Sequence, residues 1–317
     1  MSEPHLILGL GELLWDLLPE GSRLGGAPAN FTVMAGRLGN HAAILSRVGR
    51  DDFGRRALTE LEALDGMPAD ASSVQTDADH ETGRVTVELK DGQPSYTIHD
   101  PVAWDFLELS DEWVQLAERA DAVCFGTLAQ RHERSRETIQ TLVGLTREDC
   151  VRVFDVNLRA PFYSGEVIQE SLELASVVKM NDVEVPLVLG LMGLDSQVSP
   201  SSPPEPPEEA LRAGAVCLLR EFPTLKMVAV TRGGEGSLLV TREAWDQHPG
   251  VATNVADTIG AGDAFTAAMT HYLLRGASLS TLNEAGNRWG SWVASQAGAM
   301  PVLPATLKAR IEAAIEG

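Results

Sequence analysis

The sequence predicts an α/β fold, a mostly parallel sheet covered by helices on both faces with a small accessory sheet beside it. Two observations carry this. Short apolar runs alternate with longer amphipathic stretches along most of the chain, as repeated strand–helix units require. Thr82–Leu89 and Ser95–His99 instead alternate apolar and polar residues about an Asp91-Gly92 turn, the pattern of a hairpin with one exposed face.

In chain order, His5–Leu10, Ala42–Val48, Ala122–Phe125, Val151–Phe154, Val177–Lys179 and Met227–Val230 read as strands. Pro28–Leu38, Asp52–Leu64, Asp111–Arg119, Glu133–Leu145 and Val167–Leu174 read as the helices between them. A half-exposed hairpin cannot enter a sheet buried on both faces, so it belongs to the accessory sheet, with Leu13–Leu18 as a further strand. Ser199–Pro207 is rich in Pro and Ser and reads as a surface loop ahead of a helix over Glu208–Arg220. In Asp263–Leu274, Phe265, Met269, Tyr272 and Leu273 share one helical face, and Gly276 closes the helix.

A formal net charge of −20 and a pI near 4.7 argue against nucleic acid and anionic membranes as partners, because both recruit excess Lys and Arg. Any phosphorylated ligand must meet positive potential that is local: helix N-termini, a few basic side chains or a metal ion. Cys124, Cys150 and Cys217 are odd in number and far apart. Neither a disulfide framework nor a zinc site is expected, and a reducing cytoplasm fits. No signal peptide and no membrane-spanning run is expected either.

Ligands of open α/β sheets bind beyond the carboxyl ends of the strands. Polar and glycine clusters follow four predicted strands: Gly9–Asp16, Asp155–Arg159, Lys179–Glu184 and Thr231–Gly236. Each alone serves equally well as a turn or a helix cap, and their repetition favours a site. Asp257-Thr-Ile-Gly-Ala-Gly-Asp263 is the sharpest of these segments. Small residues at a helix start leave backbone N–H groups uncovered, and the helix dipole adds positive potential there. Asp263 in that first turn is either a proton acceptor or a helix cap. Gly9-Leu-Gly11 lacks the third glycine of a dinucleotide fingerprint, and no GxxxxGK[ST] occurs.

Two long motifs resemble the ribokinase-like (PfkB-type) sugar kinases, and in wording the fructokinases. The first is Gly25-Gly-Ala-Pro-Ala-Asn30, followed by Leu38-Gly39 and Val48-Gly-Arg-Asp-Asp-Phe-Gly54. The second is Asp257–Asp263, and Lys179-x-Asn181-x-x-Glu184 and Thr231-x-Gly233-x-x-Gly236 lie between them in order. The resemblance implies a single domain over 1–317, a ribokinase-like three-layer sandwich. Its small β-sheet lid is drawn from about 12–25 and 82–105, which accounts for the hairpin.

Roles carry over by the same resemblance. Asp16, Gly26 and Asn30 would bind sugar hydroxyls, with Arg159 supplying a local cation. Gly260, Ala261 and Gly262 would form an anion hole, with Asp263 as the base. Asn181, Thr231, Gly233, Gly236, Gly260 and Gly262 would line the ATP site, with Glu184 holding Mg²⁺ through water. The family often binds a monovalent cation such as K⁺, with Asp257 and Ile259 at the positions of its ligands. Many relatives pair lids in a homodimer. Ser291–Ala299 looks like the family's C-terminal helix beside the adenine.

Gly11-Glu-Leu-Leu-Trp-Asp16, Phe154-Asp-Val-Asn-Leu-Arg159 and Tyr96–Asp105 favour a fructokinase-like reaction, ATP-dependent phosphorylation of a primary hydroxyl of a free sugar. The nearest rival, 2-keto-3-deoxygluconate kinase, usually places Arg after the lid Tyr, where this chain has Thr97, Ile98 and His99. A nucleoside kinase of the same fold is a further alternative. A sugar-sensing protein that had lost catalysis would be expected to show damage in the Gly-Ala-Gly-Asp segment or at Asn181 and Glu184, and all are intact.

Overall fold

The computed structural model describes residues 4–19, 21–64, 73–90, 93–195 and 207–316. The described chain runs β1 (Leu6–Leu10), β2 (Leu14–Leu18), β3 (Gly21–Gly25), α1 (Ala27–Arg37), β4 (His41–Gly49), α2 (Asp52–Ala63), β5 (Val74–Asp77), β6 (Gly83–Lys90), β7 (Gln93–Ile98), α3 (Asp111–Arg119), β8 (Ala122–Gly126) and α4 (Glu133–Leu145). It continues through β9 (Val151–Asp155), α5 (Gly165–Leu174), β10 (Val177–Asn181), α6 (Glu184–Leu191), α7 (Pro207–Glu221), β11 (Met227–Thr231), β12 (Ser237–Thr241), β13 (Trp245–His248), α8 (Ala261–Leu273), α9 (Leu279–Ala294) and α10 (Ala305–Glu316).

Among the described residues one sheet has the order β13-β12-β11-β10-β9-β8-β1-β4-β5. It is parallel from β5 to β11, and β12 and β13 add an antiparallel edge. Alternation along each strand splits the core into two layers. Leu8, Val123, Phe125, Val178, Val228 and Val230 pack with Trp113, Ile139, Ile168 and Leu218, from α3, α4, α5 and α7. Ile7, Ala122, Cys124, Val177, Met227 and Ala229 pack the other way, against Phe31, Met269, Trp289 and Ile315 from α1, α8, α9 and α10. Helices therefore cover both faces, the three-layer arrangement.

The second sheet, order β3-β2-β6-β7, is the expected lid. A third apolar cluster seats it: Leu13, Trp15 and Leu24 lie on Val33 of α1, Ile44 of β4 and Leu61 of α2. Trp15 is fully buried, and its indole N–H donates to the Phe53 carbonyl at 3.0 Å. Asp51 caps α2 by accepting from Gly54 N at 2.7 Å. The same carboxylate takes the Thr82 N–H at 2.8 Å and its hydroxyl at 2.7 Å. One side chain thus starts a helix and anchors the lid strand β6.

Every predicted strand and helix of the parallel sheet is present, with ends shifted by a residue or two. The helix expected over Ser291–Ala299 is a correction. It spans Leu279–Ala294, opened by the Ser278 cap, so of Ser291–Ala299 only the first four residues are helical. The chain leaves the helix through Ser295 and turns at Gly298 with φ 82°. Strands β5, β12 and β13 and helices α6 and α10 had no expectation. The turn Asp91-Gly92 and residues 199–206 lie outside the described residues. No described helix is long and apolar enough to cross a membrane.

Candidate active site

From β1 the chain builds outward through β4 and β5, then returns to the other side of β1 with β8 and its successors. The switch point therefore lies between β1 and β8, where an open sheet leaves a crevice at its carboxyl edge. A pocket there is lined by Glu12 after β1, Gly126 of β8 with Thr127 after it, and Asp155 of β9 with Asn157 after it. Asn157 has φ 40°, a left-handed backbone that Asn tolerates better than most residues.

Helix α8 begins at this edge. Its N-cap is Gly260, with φ 78° and no side-chain cap. A Cβ at Gly260 would lie 2.6 Å from the Ala299 Cβ, so glycine is required twice over. Asp263 accepts from Asn30 Nδ2 at 2.7 Å, across 233 positions of sequence. Among the described residues the carboxylate is thus engaged by α1 and not by an N–H of its own helix start. Burial pushes the Asp263 carboxyl up to about 6; Asp155 adds to the rise, while Asn30, Lys179 and Arg159 oppose it. A carboxylate in that range is ionised at neutral pH yet close to the proton affinity that suits a general base.

Behind the start of α8, Lys179 Nζ donates to Asp155 Oδ1 at 3.1 Å, and the Thr266 hydroxyl donates to Asp155 Oδ2 at 3.0 Å. A Cβ at Gly262 would lie 3.0 Å from Lys179 Nζ, so the ammonium abuts the start of α8. Burial works against that charge, but Asp155, Asp263 and Glu184 outweigh it and raise the Lys179 pKa.

On the lid side, Gly26 is the N-cap of α1 with φ 111°, and its approach leaves only 2.3 Å between a notional Cβ and the Glu12 carbonyl oxygen. Glu12 Oε1 accepts from Ala27 N at 3.2 Å. Burial pushes this carboxyl up to about 7. Glu12 Oε2 and Asn30 Oδ1 are buried and without a partner among the described residues. Asp16 stands on β2 opposite Arg23 of β3. Burial lifts it to about 6, with Arg159 opposing. Arg159 is exposed, and its charge acts on Glu12, Asp16 and Asp263 alike.

At the β10 end, Asn181 and Glu184 hold one another. Asn181 Oδ1 accepts from Glu184 N at 2.9 Å, and Glu184 Oε2 accepts from Asn181 N at 2.8 Å. Glu184 Oε1 accepts from Leu158 N at 2.7 Å, so the residue also fixes the loop after β9. Thr231 ends β11, its hydroxyl 3.4 Å from the Met180 carbonyl. Gly233 faces open space, whereas a Cβ at Gly236 would come within 2.0 Å of the His248 carbonyl. The close approach at Gly236 is made by the chain itself. Asp257 Oδ1 accepts from Ile259 N at 3.0 Å, and its Oδ2 from Gly298 N at 3.1 Å and Arg23 Nη1 at 3.0 Å.

The sequence pattern of the pfkB family carbohydrate kinases matches residues 21–306. This chain belongs to that family. An Escherichia coli fructokinase is 31% identical, over 93% of this chain and 95% of its own. An uncharacterized sugar kinase from Pyrococcus horikoshii is 32% identical over 85% of this chain and 83% of its own. Its crystal structure with ATP superposes with a TM-score of 0.75 over 93% of this chain and 94% of that chain, at 30% identity. A Vibrio cholerae fructokinase solved with fructose, ADP and calcium superposes with a TM-score of 0.76 over 96% of this chain and 98% of that chain, at 25% identity. The chain is a sugar kinase with the ribokinase-like fold.

For a pfkB-type kinase the geometry brings both long motifs together at Asn30 and Asp263. Sequence reasoning left Glu12, Asp51, Asp155 and Lys179 without roles. The available signal was a charged residue at the end of an apolar strand, as at Asp155 and Lys179, or just past it, as at Glu12.

Proposed function

We propose that the chain transfers the γ-phosphoryl group of MgATP to a primary hydroxyl of a neutral sugar, fructose first among candidates. The observation that carries the reading is the 2.7 Å contact between Asn30 and Asp263. It sets the residue expected to read hydroxyls beside the residue expected to take a proton. Asp263 accepts the hydroxyl proton as the new P–O bond forms, and the N–H groups of Gly260–Gly262 with Lys179 behind them balance charge on the transferred group. Asp16, Gly26 and Asn30 orient the sugar. MgATP lies over Asn181, Thr231 and Gly233. Each Glu184 oxygen keeps one lone pair beyond its backbone N–H, enough to hold a water of the hydrated Mg²⁺. Closure of the β2–β3–β6–β7 lid excludes water as a competing acceptor, and pairing of that sheet with a second copy belongs to the same reading.

The lid supports a neutral acceptor. Arg84 is paired with Glu81, His99 bonds the Thr86 hydroxyl at 2.8 Å, and Arg23 is held by Asp257. Arg159 favours the second reading, a sugar acid, because it is a cation with no ion pair to another described residue. Comparing kcat/KM for fructose, ribose, glucose, 2-keto-3-deoxygluconate and adenosine separates them. Fructose should lead, and a lead for the acid by tenfold or more, about 1.4 kcal/mol, would replace the first reading with the second.

A further inference from the structure

Where the lid returns to the core, one buried cation gathers three segments. Arg131 follows β8, and its side chain is 5% exposed. Its Nε donates to Asp105 Oδ1 and its Nη2 to Asp105 Oδ2, both at 2.7 Å. Nη2 also reaches the His99 carbonyl at 2.7 Å, just past the end of lid strand β7. The guanidinium carbon lies 4.1 Å from the centre of the Trp104 ring and 4.7 Å from that of Phe162. Trp104 is fully buried, and Gly83, the first residue of β6, lies against its edge: a Cβ there would come within 2.1 Å of Trp104 Nε1. Both ends of the β6–β7 hairpin therefore meet at the Arg131 cluster.

Stability alone is a poor reason for such a group. A buried ion pair rarely outdoes an apolar replacement of like volume, and Arg131 Nη1 is buried with no partner among the described residues, a further cost. Phe162 supplies another reason. It stands in the loop after β9, and its N–H donates to the Arg159 carbonyl at 2.7 Å. That turn presents the cation whose charge acts on Glu12, Asp16 and Asp263. Leu158 is tied to Glu184 and Ser164 caps α5. Between them, among the described residues, the loop makes no hydrogen bond to another part of the chain. The Phe162 ring, packed on the core and beside Arg131, holds that stretch. We propose that Arg131 is a positioning residue for acceptor binding: through Phe162 it holds the Arg159 turn in place against the base of the lid. Lysine would keep the charge but lacks the planar fork and face that serve Asp105 and the rings together. The proposal rests on the sugar-binding role given to Arg159, but not on the identity of the sugar.

The test compares the intact protein with Arg131→Lys, Phe162→Leu and Arg159→Ala, and with each of the first two combined with the third. With no ligand present, limited trypsin digestion read by mass spectrometry follows the Arg159–Ala160 bond against every other cleaved bond. Arg131→Lys and Phe162→Leu should each speed cleavage there at least about fivefold over the rest, as a local opening does. Kinetics use whichever of fructose, ribose, glucose, 2-keto-3-deoxygluconate and adenosine is turned over best. The KM for that acceptor should rise about tenfold in both variants, and the KM for MgATP should change by less than about twofold. In an Arg159→Ala background either change should add less than about twofold, because the contact it served is already lost. Should Arg131→Lys fail to fold, Phe162→Leu carries the same expectations. Faster cleavage at all bonds alike means a loosened fold and overturns the proposal. An acceptor KM that stays at the wild-type value overturns it, and so does a penalty undiminished by Arg159→Ala. Wild-type failure on every acceptor would instead sink the acceptor reading on which this one rests, a result visible before any variant is made.

Discussion

At the end of the cleft assigned to the sugar, Glu12, Asp16 and Asp263 are lifted by burial to about 7, 6 and 6. Each has few donors: Asp263 holds one amide of Asn30 and Glu12 holds one backbone N–H. At the end assigned to the nucleotide Glu184 accepts two backbone N–H groups, and Asp257, ahead of α8, accepts two with a guanidinium besides. The same functional group therefore does two jobs. A carboxylate buried with too few donors keeps an appetite for a proton, which is reactivity. A carboxylate saturated with N–H groups ties loops together even where burial also raises it, as at Glu184, which is architecture.

The largest effect should come from removing the reactive member. Asp263→Asn should lower turnover by at least about two orders of magnitude while the sugar KM changes little, as steady-state kinetics will report. Turnover close to wild type would break the contrast at its centre. Glu184→Ala should act differently. Stranding two backbone donors costs about 1–3 kcal/mol for each that stays dry, so the melting temperature should fall while the KM for MgATP rises about tenfold, on the scale of one lost charged hydrogen bond. An unchanged melting temperature would remove Glu184 from the architectural class.

Acidity sharpens the comparison further. Asp263 must be unprotonated to act and its pKa is about 6, so kcat/KM should be flat above that value and fall roughly tenfold per pH unit below it. Asp16 titrates in the same range, so the limb belongs to the pair. The absence of an acid limb near pH 6 would contradict the raised Asp263 pKa. The smallest effect concerns Glu12, lifted from 4.5 to about 7 on folding. A raised carboxylate binds its proton more tightly in the folded chain, so its share of stability is intact below about pH 4.5 and lost as pH rises through 7. Glu12→Gln should flatten the change in melting temperature between those limits, measured by calorimetry.

Much of this was legible in the residues. The parallel strands announced themselves as apolar runs, and the lid by an alternation that did not fit them. Glycine in the Asp257–Asp263 segment marked the start of α8, because Gly260 there has a backbone geometry that few residues allow. Periodicity reports burial but not partners, so the Lys179–Asp155 pair needed the register of β9 beside β10. Helix α6, Glu-Val-Pro-Leu-Val-Leu-Gly-Leu, is short and apolar on nearly every side, so no amphipathic stripe marked it. Strand β13 lies at an edge with alternating exposure and lacks the apolar run of its neighbours. Asp51 had no role in the sequence reading, because its hold on Thr82 joins segments 31 positions apart.

The crowding around the start of α8 bears on how such a chain can evolve. A Cβ at Gly262 meets the Lys179 ammonium at 3.0 Å, and one at Gly260 meets Ala299 at 2.6 Å. With Ala299 on one side and the Lys179 ammonium on the other, mutation has little room to work on this segment. The lid sheet is different, joined to the core by one apolar cluster and a handful of polar ties. Descendants seeking a new acceptor would inherit the first region unaltered and explore through the second.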